Sequence, residues 1–218
     1  MKRETPPEAP PNCPLCPRLV AYRGENRRLE PGWFNGAAPS FGDPEARLLI
    51  VGLAPGRTGA NRTGRPFTGD FAGDLLYGTL LKLGLAKGVY KADPADGLTL
   101  HDAMITNAVR CAPPENKPTP AEIATCRPFL GARIGALPSM RAILALGAIA
   151  HESVLRAHDL KPSAARFGHG AEAELPGGRR LFSSYHCSRY NTQTNRLTAA
   201  MFEAVMGRAR AFAQGVEA

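Results

Sequence analysis

Aromatic side chains are scarce. Phe, Trp and Tyr make up 7% of the 218 residues, and Trp33 is the lone tryptophan. That argues against a long stacking platform for single-stranded nucleic acid and leaves room for one or two dedicated stacking positions. No apolar run reaches the roughly 18–20 residues that a membrane span needs. The N-terminus, MKRETPPEAPPNCPLC, carries charge and proline but no apolar signal core. The expectation is therefore a chain of the cytoplasm or nucleoid with no membrane partner. No internal repeat is visible, and the N-terminal prolines are the sole low-complexity tract. The glycine-rich stretch GLAPGRTG lacks the GK[ST] that grips phosphate and magnesium in a P-loop, which argues against a phosphate-binding NTPase.

What is present begins with charge. Lys and Arg number 27 against 19 Asp and Glu, a formal net charge of +8 and a pI near 9.6. Most of the basic residues are arginine, whose planar fork suits phosphate. Such a surplus fits a polyanionic partner, because basic side chains displace condensed counterions. With 44% apolar residues, a chain of this length can bury a full core without staples. The expected organisation is a single domain over 1–218, with residues 1–12 irregular. From Cys13 to Pro44 an extended arm is expected, with one short helix near Arg18 to Gly24.

Four strand-like runs follow: ARLLIVGLAP (Ala46 to Pro55), AMITNAVRC (Ala103 to Cys111), RAILALG (Arg141 to Gly147) and RRLFSSYHCS (Arg179 to Ser188). Short apolar runs closed by Gly or Pro suit strands buried on both faces. Between and after them lie stretches of helical spacing, among them DFAGDLLYGTLLKLGL, TPAEIATCRPFLGARIGAL and AIAHESVLRAHDL. Thr119-Pro120-Ala121-Glu122 offers an N-cap, a first-turn proline and an early carboxylate. Alternating strands and helices predict an α/β sandwich with a mainly parallel sheet. Ligands in such sheets sit off the C-terminal strand ends, here GLAPG, TNAVRC and SYHCS.

Five cysteines stand at 13, 16, 111, 126 and 187. Without an export signal, disulfides are not expected. Cys13-Pro14-Leu15-Cys16 lies in the irregular arm, away from the strand-to-helix turn where a redox dithiol normally sits. Cys111 and Cys126 are a feasible second pair. Four thiolates suit zinc or an iron–sulfur cluster, and spacing does not choose between them. Either group would pin the arm to the body of the domain, a structural role.

At GLAPG (Gly52 to Gly56), NRTGRPFTGD (Asn61 to Asp70), ITNAVRCAPPENKPTPAE (Ile105 to Glu122) and HCSRYNTQTNRLT (His186 to Thr198), the sequence resembles the uracil-DNA glycosylases that carry a [4Fe–4S] cluster, most closely family 5 (type b). The resemblance runs from Cys13 to about residue 212. It implies a three-layer α/β/α sandwich around a central four-stranded parallel sheet. It also implies that Cys13, Cys16, Cys111 and Cys126 hold the [4Fe–4S] cluster, leaving Cys187 unliganded. The implied partner is uracil-containing DNA, double- or single-stranded, and the implied state a monomer. Two departures stand out. Leu53 occupies the first motif where related enzymes carry a carboxylate or Asn, and Cys187 stands where Pro is commoner.

The implied reaction is hydrolysis of the N-glycosidic bond of a flipped uracil, leaving an abasic site in base excision repair. His186 would donate to uracil O2 as negative charge develops there. The Asn107 amide pairs one acceptor and one donor with uracil N3–H and O4. An Asn inside an apolar run is otherwise a buried cost. Phe67 would stack on the base. The backbone of Gly52, Ala54 and Gly56 would line the pocket, because glycine permits close approach. Asp70 is the nearest carboxylate left to orient water, and equally a good N-cap for the run after it. Arg189 and Tyr190 would wedge into the duplex, while Arg57, Arg62, Arg65 and Lys117 are candidates for phosphate. No lysine has the helix-hairpin-helix setting of a Schiff-base enzyme, so a monofunctional glycosylase is expected. The alternative is a non-catalytic nucleic-acid-binding module with a structural metal.

Overall fold

A computed structural model describes residues 6–216. Residues 6–16 carry neither helix nor strand, and residues 1–5 of the expected irregular segment lie outside the described residues. In the arm, α1 spans Pro17–Leu29, longer than the sequence suggests. Pro17 sits at its first position, where the missing N–H costs nothing. Buried inward are Leu19, Arg23 and Asn26, two of them polar, which is why no apolar stripe announces this helix.

The sheet begins with β1 (Phe41–Gly42) and β2 (Leu48–Gly52). Next come a single helical turn, α2 (Ala60–Thr63), and the helix α3 (Phe71–Lys82). A small hairpin, β3 (Ala86–Lys87) and β4 (Thr99–Leu100), precedes β5 (Ala103–Asn107). The remainder runs α4 (Pro120–Gly135), β6 (Ala142–Leu146), α5 (Ala148–Ala157), β7 (Glu172–Leu175), β8 (Arg179–Ser184), α6 (Arg189–Gln193) and α7 (Ala199–Gln214). The expected capping box forms at α4, where Thr119 and Glu122 satisfy each other's backbone N–H.

The main sheet has six strands in the order β1-β5-β2-β6-β8-β7. The four expected strands are its parallel centre. Two short antiparallel edges flank this expected four-stranded parallel centre, β1 on β5 and β7 on β8. Every residue of β2, β5 and β6 is buried, as strands covered on both faces require. Alternate residues face opposite layers. Leu48, Ile50 and Leu144 join α3 and α7 in one core; Leu49, Val51 and Ile143 join α4 and α5 in the other. A third, smaller cluster ties the arm to the domain through Ala9, Cys13, Leu19, Val109 and Phe129. Among the described residues no helix is long and apolar enough to cross a membrane.

Candidate active site

The parallel register sets the site. Gly52 at the end of β2 pairs with Asn107 at the end of β5, and the ladder continues past both as Ala108 N–H donates to Gly52 O. The ends of β2 and β5 and the loop after β8 open into one cleft of about 420 Å³, lined by Leu53, Ala54, Gly56, Phe67, Asp70, Asn107, His186 and Arg189, among others. This is the crevice beyond the carboxyl ends of parallel strands where such folds bind ligands.

Gly52 is required by close approach. A Cβ there would lie 2.5 Å from Asn107 Oδ1 and 2.6 Å from Phe67 Cζ, so a methyl group would displace both. Asn107 is buried, and its Oδ1 has no protein hydrogen-bond partner. An orphaned acceptor is costly unless a ligand supplies the donor. Phe67 sits at φ +53°, a left-handed conformation that a bulky residue rarely adopts. Its ring stacks on His186, with centroids 5.9 Å apart and planes 27° from parallel.

His186 lies just past β8, its carbonyl held by Asn191 Nδ2 at 2.8 Å. It is partly accessible from the cleft and enclosed elsewhere, and burial pushes its imidazole down to about 4 from 6.5. The ring is therefore neutral near pH 7, with one N–H free to donate. Asp70 is the N-cap of α3, its Oδ1 accepting from Gly73 N at 3.2 Å. Its other oxygen, Oδ2, packs against Gly59 and Gly56, where added Cβ atoms would come within 2.3 and 3.3 Å. Burial raises its carboxyl above the ordinary value, opposed by the Gly73 and Ala72 N–H groups.

At the mouth, the Arg189 guanidinium lies 5.2 Å from the ring of Phe71. Tyr190 is 69% exposed and does not line the cleft. Of the four phosphate candidates, Arg65 is corrected outright: it is buried in an ion pair with Asp96 at 2.7 Å. Arg57 is turned toward the arm, donating to Asn26 Oδ1 at 2.8 Å and lying 5.0 Å from Trp33. Lys117 is exposed beside Glu115, and Arg62 joins Arg189 on a shallow extension of the cleft.

Residues 39–210 match the model of the uracil DNA glycosylase superfamily. The chain belongs to that superfamily. It is 51% identical over 207 residues to a type-5 uracil-DNA glycosylase of Thermus thermophilus, covering 92% of this chain and 94% of that protein. A type-5 enzyme of Mycobacterium bovis is 45% identical (94% and 79% covered), and one of Pyrobaculum aerophilum 41% (92% and 88%). The same archaeon's type-4 enzyme is 36% identical over 66% of this chain.

In this member of the superfamily the four arm and core thiols share one crevice. Cys13, Cys16, Cys111 and Cys126 line it together with Leu19, Val109 and Phe129. Burial pushes both the Cys111 and Cys126 thiols up to about 11. Arg23 Nη1 lies 3.6 Å from Cys111 Sγ, and Arg110 N–H donates to Cys126 Sγ at 3.3 Å. Among the described residues no three His, Cys, Asp or Glu side chains are grouped so as to hold a metal ion. Cys187 is buried in the core on the other side of the sheet, away from these four.

Two cleft residues escape a reading of the sequence. Phe71 is an exposed aromatic at the first turn of α3, indistinguishable in sequence from a core position. Asn116, at φ +57°, lines the wall near Gly56; an Asn in a proline-rich loop is the one available signal, since Asn tolerates left-handed backbone.

Proposed function

We propose that this chain hydrolyses the N-glycosidic bond of uracil in DNA, opening base excision repair as a monofunctional type-5 glycosylase. The observation that carries the reading is the orphaned amide oxygen of Asn107, buried in a cleft that also holds Phe67 and His186. Uracil presents an N3–H donor beside an O4 acceptor, the complement of a side-chain amide. A base still in the duplex cannot reach the floor of this cleft, so the nucleotide must be extruded, at a few kcal/mol.

Once extruded, the base lies against Phe67 with its Watson–Crick edge on Asn107. As the glycosidic bond lengthens, its electron pair passes to the base and charge gathers on O2. The neutral His186 N–H donates to that oxygen, a contact that strengthens as the charge grows and so acts on the transition state more than on binding. The sugar carbon becomes cationic and takes water, whose released proton balances the one the uracil anion takes up in leaving. Asp70 lies on the cleft wall where its charge opposes that of the sugar. Arg189 stands at the mouth, and Tyr190 projects outward beside it, as side chains that wedge into the duplex at the vacated base position would.

Cys13, Cys16, Cys111 and Cys126 would hold a [4Fe–4S] cluster. What supports it is the donor chemistry: four thiols from three segments line one crevice, spaced too widely to share a single ion and so better matched to a larger multi-iron group, with backbone and guanidinium N–H groups directed at two of the sulfurs, as thiolates require. Bound there, the group would cross-link arm and domain, in a crevice that shares no lining residue with the cleft.

The test is a duplex oligonucleotide with one uracil, incubated with excess protein and then treated with alkali. Strand breakage at the uracil after alkali, and none before it, is the expected result. Intact strands after alkali would leave a binding module instead.

A further inference from the structure

The loop that carries Phe67 is held by side chains from outside the cleft. Tyr77 Oη donates to Pro66 O at 2.7 Å, and Tyr90 Oη donates to Phe67 O at 3.1 Å. Arg65 Nε donates to Thr68 Oγ1 at 2.7 Å, while both terminal nitrogens of Arg65 engage Asp96 at 2.7 and 2.8 Å. The Asp96 carboxylate is fully enclosed and also accepts from Lys91 N and Leu98 N, each at 3.0 Å. Tyr90 and Asp96 both belong to the loop of the β3–β4 hairpin, which contributes nothing to the lining of the main cleft. The Tyr77 and Tyr90 rings stack at 4.5 Å, with the Arg65 guanidinium 5.4 and 5.8 Å from their centroids.

The Phe67 carbonyl has no other room. A Cβ on Gly73 would lie 2.0 Å from Phe67 O and 2.3 Å from Tyr90 Oη, so the first turn of α3 closes on this hydrogen bond. Phe67 also keeps its left-handed backbone here, a conformation that persists only where the surroundings over-determine it. Burial holds the Tyr90 hydroxyl protonated, up to about 12, so it donates across the whole neutral range.

We propose that Tyr90 is a positioning residue: by holding the Phe67 carbonyl it sets the place of the Phe67 ring against the extruded base. This rests on the glycosylase reading above. The hairpin acts as a buttress behind the base pocket: Tyr90 holds Phe67 itself through one hydrogen bond, while Asp96 braces the same loop through Arg65.

The test is Tyr90→Phe in the full-length protein, which deletes the donor and keeps the stacked ring. Four quantities are measured against wild type: inhibition by free uracil, the single-turnover rate on a uracil-containing duplex, affinity for the same duplex without uracil, and the melting midpoint. Loss of one neutral hydrogen bond should weaken uracil inhibition and lower the single-turnover rate by about three- to tenfold. Affinity for uracil-free DNA should not move, and the midpoint should fall by no more than the loss of one hydrogen bond accounts for. In a Phe67→Ala background Tyr90→Phe should add nothing, because its effect travels through that ring. Unchanged uracil inhibition would overturn the proposal. So would an equal loss of uracil-free DNA affinity, or full additivity with Phe67→Ala. A wild-type protein that does not cleave the uracil duplex at all would instead overturn the glycosylase reading, independently of Tyr90.

Discussion

Replacing His186 with Ala should change two measurable quantities for two separate reasons. The first is rate. His186 presents a neutral N–H to the cleft, and losing one donor to a developing oxyanion costs on the order of 10²–10³ in the chemical step. The second is the pH dependence of stability. In the folded chain the imidazole is pushed down to about 4, against 6.5 when unfolded. The unfolded state therefore takes up the proton first as pH falls. Stability from this group is fully present above 6.5 and is lost as pH drops toward 4. Between pH 7 and pH 5 the loss is about 2 kcal/mol, out of roughly 3 kcal/mol for the whole interval. His186→Ala abolishes that component, so its stability should fall about 2 kcal/mol less than wild type over the same range. Chemical denaturation at the two pH values gives the difference, and the cavity left by the substitution cancels because it is common to both. Single-turnover kinetics at pH 7 give the rate. Equal acid sensitivity in the two proteins would refute the low imidazole value, and an unchanged chemical step would refute the role in catalysis.

The remaining expectations concern charge and sulfur. Cys111→Ala should bleach absorbance near 400 nm and expose the arm to proteolysis, whereas Cys187→Ala should keep the colour; full absorbance in Cys111→Ala would remove it from the cluster ligands. Asp96→Asn should cost about 3–5 kcal/mol in denaturant titration, because it leaves the Arg65 guanidinium buried without its partner. Arg65 holds the Asp96 carboxyl well below its ordinary value of 3.8. Stability from this pair is thus present above about pH 4 and lost only in stronger acid. Asp70→Asn should slow single turnover at least tenfold and leave the melting midpoint in place, while Asp70→Ala should in addition cost about 0.5–2 kcal/mol as the cap is lost. A normal rate in Asp70→Asn would reduce the residue to a cap.

The parallel centre of the sheet was legible because its strands are continuous apolar runs, and ARLLIVG and RAILALG have few other uses. The edges were not. β1 is two residues long and β7 reads EAEL, neither of which carries an apolar run. α1 was underestimated because its buried side is largely polar: Arg23 faces Cys111, and Asn26 meets Arg57. Arg65 shows the limit most clearly. In GRPFTGD it looks like a phosphate ligand, and only the fold brings Asp96, 31 positions along the chain, onto both its nitrogens. Asn107, Phe67 and His186 could be picked out singly, by polarity in an apolar run or aromaticity in a glycine-rich loop. That they share a cleft follows from the register of β2 on β5 and from the β8 exit. The buttress behind Phe67 has no sequence signal, since its tyrosines look like any core aromatics.

The wall of the cleft bears on how the reaction divides its labour. Leu53 places an apolar side chain on it, so activation of water cannot come from the first motif. Asp70 is the acidic side chain among the lining residues, and one of its oxygens is occupied by the Gly73 N–H. The other oxygen lies against Gly59 and Gly56, in space that a side chain on either would take. A carboxylate held this way is poorly solvated, as its raised carboxyl shows. Such an anion costs free energy in the resting protein and recovers part of it when positive charge appears nearby, which happens as the sugar approaches an oxocarbenium ion. The interaction is stronger in the transition state than in the ground state, the condition for catalysis. Asn at this position would cap α3 equally well but recover nothing, so the expected split between an unmoved midpoint and a slowed rate follows from the two oxygens having different tasks. On the proposed function, His186 would act on the departing base and Asp70 on the sugar it leaves behind, so that the two charges separate only along the bond being broken.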